Sequence, residues 1–141
     1  MKTRAVLATL VLCSSFYSIA QTADNTSAEI LNRLDMTSFH NSLGPRHLKQ
    51  GTTLTELKSI TVSSDKGMAT ATNSDKSWIY ALKVLDEDKQ NETYTVCFND
   101  KALPGPPTYN NSQELVVKKS PQGTYKVIQV IAENSACASA Q

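Results

Sequence analysis

No stretch of this sequence is apolar for long enough to span a bilayer. Its longest run, Ala5 to Cys13, covers only about nine residues against the roughly 20 a transmembrane helix needs. Glycine is scarce, five in 141 residues, and nowhere clusters into a phosphate-cradling loop. Histidine is scarcer still. His40 and His47 flank Gly44-Pro45 and so do not share a helix face at metal-ligand spacing, and no HExxH or GxSxG signature occurs. There is no excess of either charge, with 14 basic and 13 acidic side chains. Without a net positive field to release counterions, nucleic acid is not an expected partner.

What is present begins at the amino terminus. Lys2 and Arg4 precede the short apolar run, and a more polar stretch ends in Ser18-Ile19-Ala20. This is the layout of a secretory signal with cleavage after Ala20, so residues 1–20 are expected to be removed and residues 21–26 to be a flexible start. A lipoprotein reading would need a small residue before Cys13, where Leu12 stands. Removing Lys2 and Arg4 from the 14 basic residues leaves 12 against 13 acidic ones, a net charge of −1. The remaining residues 27–141 are enough for one domain with a modest core.

Loss of the signal also takes Cys13 and leaves an even pair, Cys97 and Cys137, in an oxidising compartment. Neither sits in CxxC or beside a basic residue, so a structural disulfide is expected over a reactive thiol. It would tie down a small-residue tail that otherwise has no reason to stay ordered.

Thr26-Ser27-Ala28-Glu29 fits a capping box, and Ile30, Leu31, Leu34, Met36, Phe39 and Leu43 follow as an imperfect helical stripe ended by Gly44-Pro45. The spacing predicts a helix over about 27–43, with a kink or second start near Thr37-Ser38. From Leu54 the period changes to two. Strands are expected around Ile60–Ser63, Met68–Thr72, Ser77–Leu85, Thr93–Asn99, Leu115–Val117 and Thr124–Ala132, with turns at Asp65-Lys66-Gly67 and Ser120-Pro121-Gln122-Gly123. Six consecutive strands with short turns pair as an antiparallel meander. The expected fold is therefore α+β: one N-terminal helix packed on a curved antiparallel sheet of about six strands, with one disulfide. Tyr94, Val96 and Phe98 share one face and Cys97 points to the other, so the tail should be pinned to the face opposite those three residues or at the sheet edge.

Candidate sites are few. Asp86, Asp88, Asn91 and Glu92 lack the alternate oxygens and the glycine of a calcium loop and read as a solvated hairpin. Phe39 to Arg46 is rich in unusual residues but reads as a helix C-cap. His40 has Asp35 and Asp100 as conceivable partners. Asn25, Asn91 and Asn110 begin glycosylation triplets at a frequency that chance supplies. The segment Leu103, Pro104, Gly105, Pro106, Pro107, Thr108, Tyr109 is a stiff loop with little entropy left to lose, suited to a preorganised partner contact anchored by Leu103 and Tyr109. Trp78, Tyr80 and Tyr94 would line a pocket between helix and sheet if one exists.

These observations favour a non-catalytic binding or interaction module, with no cofactor or metal, in the periplasm or secreted outside the cell. Its partner would be another envelope or secreted protein. The alternative is a small enzyme or ligand-binding protein using the aromatic pocket. A core filled under the helix would favour the first reading, and an aromatic cavity with a buried carboxylate the second.

Overall fold

The strands form in the order and direction the alternation predicts. In the computed structural model, which describes residues 18–43, 48–57, 60–103, 105–106, 108–134 and 137, the elements are α1 (Ser18–Arg33), a 3-10 turn (Leu54–Glu56), β1 (Ile60–Asp65), β2 (Met68–Asn73), β3 (Trp78–Asp88), β4 (Thr93–Ala102), β5 (Asn110–Lys119) and β6 (Tyr125–Glu133). The sheet order is β1-β2-β3-β4-β5-β6, every neighbouring pair is antiparallel, and the sheet does not close. Bulges at Val84/Asp86 in β3 and at two places in β6 add local bend and twist.

The period of two sets the faces. Ala69 and Ala71, Tyr80 and Leu82, Val96 and Phe98, Leu115 and Val117, and Tyr125 and Val127 are all buried on one side of the sheet. Against them lie Ile30, Leu31 and Leu34, each fully buried. At about 25 cal/mol per Å² of apolar area removed from water, this shared layer is the main source of stability. Cys97, one step out of phase, faces the other way and forms the disulfide with Cys137.

The helix differs from its expected bounds. It begins by Ser18 and ends at Arg33, where the stripe predicted 27–43. Thr26 to Glu29 lie inside it, so they do not form its N-cap. The Ser27 hydroxyl instead donates to Gly67 O (2.8 Å), and the Glu29 carboxylate accepts from Lys119 and from the Tyr125 hydroxyl. The early end has a local cause. The Asp35 carboxylate accepts from Thr37 N–H and its hydroxyl, the Ser38 hydroxyl donates to Asp35 O, and Asp35 N–H donates to Tyr125 O. Short polar side chains thus offer the backbone partners that compete with helix continuation.

Residues 34–43 then cross the half of the sheet that α1 leaves bare, since α1 packs on β1, β2 and β3. Met36 and Phe39 are buried from this irregular segment, Phe39 edge-on to Phe98 at 5.0 Å. The buried Gln113 amide holds the segment by donating to His40 O. Further on, Thr53 and Glu56 form a capping box around the 3-10 turn, a T-x-x-E signal that the period-two reading from Leu54 passed over. At the β5–β6 turn Gly123 has φ +79°, and a side chain there would press on Arg33.

Candidate functional site

Among the described residues the space between α1 and the sheet is filled by the packed layer of Ile30, Leu31, Leu34 and Leu82. The aromatic residues gather instead where the inner face meets the loops at the start of β3. A cleft of about 190 Å³ there is lined by Ser42, Leu43, Asn73, Trp78 and Tyr80. Trp78 and Tyr80 alternate onto one face of β3. Asn73 anchors the turn before them, its carbonyl oxygen accepting from Trp78 N–H (2.9 Å) and its amide donating to the Ser77 hydroxyl.

Behind the cleft sits Asp100, opposite Tyr80 in the β3–β4 register and fully buried. Its carboxylate accepts Ser42 N–H (2.6 Å), the Ser42 hydroxyl (2.9 Å) and the Trp78 indole N–H. Burial raises the Asp100 pKa above the usual carboxylate range, and these donors together with the nearby charge of His40 oppose the rise. Burial also pushes the Tyr80 phenol up to about 12, the Ser42 hydroxyl working against it. The carboxylate therefore fixes Ser42 and Trp78 in place. All three of its described donors come from the protein's own framework, and none of its surface reaches the cleft.

Of the three aromatics expected together, Trp78 and Tyr80 meet and Tyr94 does not. Tyr94 lies toward the other end of β4, edge-on to Tyr125 at 5.7 Å, where Lys119 also stands over the Tyr125 ring. The aromatic that completes the cluster is Tyr109, whose ring is 5.6 Å from that of Trp78. The sequence marks Tyr109 only as an anchor of the proline loop. Its hydroxyl is buried, and burial raises its pKa, the Asp100 charge adding to the rise and the Asn111 side chain opposing it. Leu103 N–H donates to Ser77 O (2.7 Å), just before β3, and Ala102 N–H, at the end of β4, donates to Tyr109 O (3.0 Å), so one end of the proline loop is tied to the start of β3 and the other to the end of β4. Gly105 and Pro106 are exposed at its tip, while Pro104 and Pro107 lie outside the described residues.

The Tyr109 end of the loop thus meets the cleft at Trp78, at one end of the sheet. No signal in the sequence joined them, because Trp78 and Tyr109 meet only through the β3–β4 pairing. The other readings resolve locally. The buried Asn41 amide donates to Met36 O and Phe39 O and its carbonyl accepts Leu43 N–H, so it shapes the loop where a helix C-cap was expected. Gly44, Pro45, Arg46 and His47 lie outside the described residues. His40 is exposed. The Asp88 carboxylate is taken up by Gln90 N–H, Asn91 N–H and the Asn91 amide of its own turn.

Comparison with known proteins gives one assignment. The family model described as "Pim: Pesticin immunity protein" matches residues 5–97, from the amino-terminal segment into β4. No curated protein and no solved structure matches the chain. The matched residues contain Ser42, Asn73, Trp78 and Tyr80; Asp100, the proline loop, β5 and β6 follow them.

Proposed function

The chain belongs to the pesticin immunity protein family, and from that premise we propose that it is a periplasmic immunity protein that binds and neutralises a pesticin-type toxin. The binding surface is the cleft at Trp78 and Tyr80 continued by the loop from Leu103 to Tyr109. The family match carries the partner class. The contact between Trp78 and Tyr109 carries the location, because it makes a rigid aromatic platform out of two segments. Aromatic side chains give large contact area at small entropic cost, which is why they dominate interface energetics. The proline loop, fastened at both ends, adds a surface that loses little freedom on binding. Export of residues 1–20 as a cleaved signal delivers the protein to the compartment where Cys97 and Cys137 can pair. Among the described residues no helix is long and apolar enough to cross a membrane.

A titration of the oxidised chain with the toxin, followed by calorimetry, tests this. Leu103→Ala combined with Tyr109→Ala should weaken binding by roughly tenfold or more, as expected for loss of a central aromatic anchor. Cells carrying the double variant should lose protection against the toxin. Undiminished binding by that variant would remove the proposed surface, and no binding by the wild-type chain would remove the function.

A further inference from the structure

Among the described residues no cation pairs with the buried Asp100 carboxylate; the one ion pair joins Lys119 to Glu29. The three donors to Asp100, Ser42 N–H, the Ser42 hydroxyl and the Trp78 indole N–H, are all neutral. His40 acts on it through charge alone, from an exposed side chain that water screens. Asp75 and Lys76, exposed in the turn that follows Asn73, bring opposite charges and no net one. A charge with neutral partners in a low-dielectric interior projects its field into an adjoining cleft. Here that is the cleft of about 190 Å³, whose lining includes both side chains tied to the carboxylate, Ser42 and Trp78. Burial raises the pKa of the Tyr80 and Tyr109 phenols, and the Asp100 charge adds to the rise in each, so its field is felt across the aromatic cluster.

That field selects the ligand. The faces of Trp and Tyr rings are negative and attract cations. Donating the indole N–H to an anion pushes further electron density onto the Trp78 ring, which strengthens the attraction. Asp100 has no exposed surface, so a ligand cannot reach it for a direct salt bridge and must be a cation that rings can hold. A guanidinium is planar, weakly hydrated and stacks on aromatic faces, whereas an ammonium is compact and strongly hydrated. The Asn73 carbonyl oxygen accepts one N–H from Trp78 and keeps a second lone pair, a neutral acceptor in the cleft lining for a guanidinium N–H. Building on the reading of this cleft as the toxin contact, we propose that it is a cation–π site that takes an arginine guanidinium of the toxin.

Ethylguanidinium and ethylurea, a planar cation and a neutral molecule of the same shape, are the probes. Each is titrated into the oxidised chain at constant chloride, followed by the fluorescence of Trp78, the only tryptophan, and by amide NMR shifts. Ethylguanidinium should saturate with a dissociation constant in the roughly millimolar range, and ethylurea should bind at least about tenfold more weakly. Asp100→Asn keeps the shape and removes the charge, and should cut that preference at least roughly threefold. The wild-type probe pair decides even where this variant fails to fold. Equal binding of the two probes, or shifts centred away from Ser42, Leu43, Asn73, Trp78 and Tyr80, would overturn the proposal. Ethylguanidinium should also compete with the toxin where ethylurea does not, and toxin binding that neither probe weakens would overturn this proposal alone. The probe titrations need no toxin, so selective cation binding by a chain that binds no toxin would remove the toxin reading and leave the guanidinium site.

Discussion

Replacing Asp100 by alanine tests how the aromatic platform is held. The side chain accepts three hydrogen bonds, from Ser42 N–H, the Ser42 hydroxyl and the Trp78 indole, and is fully buried. Hydrogen bonds to a charged acceptor contribute about 1.5–3 kcal/mol each, but the cost of keeping the carboxylate out of water offsets part of that. The half-buried Trp78 N–H can turn to water in the cleft and the Ser42 hydroxyl can rotate, which leaves Ser42 N–H as the principal orphan. The expected loss is about 2–4 kcal/mol. The pH dependence has a definite sign. Burial raises the folded-state pKa of Asp100 above its unfolded value of about 3.9, so the folded state binds this proton more tightly. The stability contributed by the group is fully present below the unfolded pKa and is lost as pH rises through the folded one. The gap between wild type and Asp100→Ala should therefore widen from pH 7 toward about pH 4. Urea unfolding followed by tryptophan fluorescence is well suited, because Trp78 is the only tryptophan and lies at the perturbed bond. A loss below about 1 kcal/mol, or a gap that narrows on acidification, would refute the reasoning.

The remaining predictions address the rest of the frame. Cys97→Ala with Cys137→Ala should cost about 4 kcal/mol in denaturant unfolding, the chain-entropy value for a separation of 40 residues. Phe39→Ala should cost about 3–5 kcal/mol although Phe39 belongs to no regular element, because its buried ring packs on Phe98; a small loss would mean that residues 34–43 are not part of the core. Glu29→Gln should remove stability at neutral pH and flatten the acid side of the pH–stability profile. The Lys119 hydrogen bond holds the Glu29 carboxyl below its ordinary pKa, so its contribution is present above the unfolded value and lost as pH falls through the folded one.

The sheet was readable in the sequence because its information is local. Alternation in Ser77–Leu85 and Thr93–Asn99 sets the buried faces, short turns force antiparallel neighbours, and the odd phase of Cys97 puts the disulfide opposite the helix. The helix bounds were not readable in the same way. Leu34, Met36 and Phe39 keep helical spacing, yet Asp35, Thr37 and Ser38 satisfy the backbone outside a helix, and the contact with Tyr125 completes the switch. A burial pattern shows which residues go inside and leaves open by what backbone path. The candidate site was half legible. Trp78, Tyr80 and the proline loop stood out by composition, but their union depends on register, and Tyr94 shares a residue type with the cluster without sharing its end of the sheet. Asp100 stood out only as a conceivable partner of His40, because a lone aspartate in a strand acquires its meaning when Ser42 and Trp78 are brought to it.

Hydrogen exchange of the chain alone and in complex with the toxin reads the proposed surface most directly. Added protection at residues 73–80 and 102–109, with little change along β6, is the result the account predicts. Protection confined to other parts of the sheet, or no protection at saturating toxin, would contradict it.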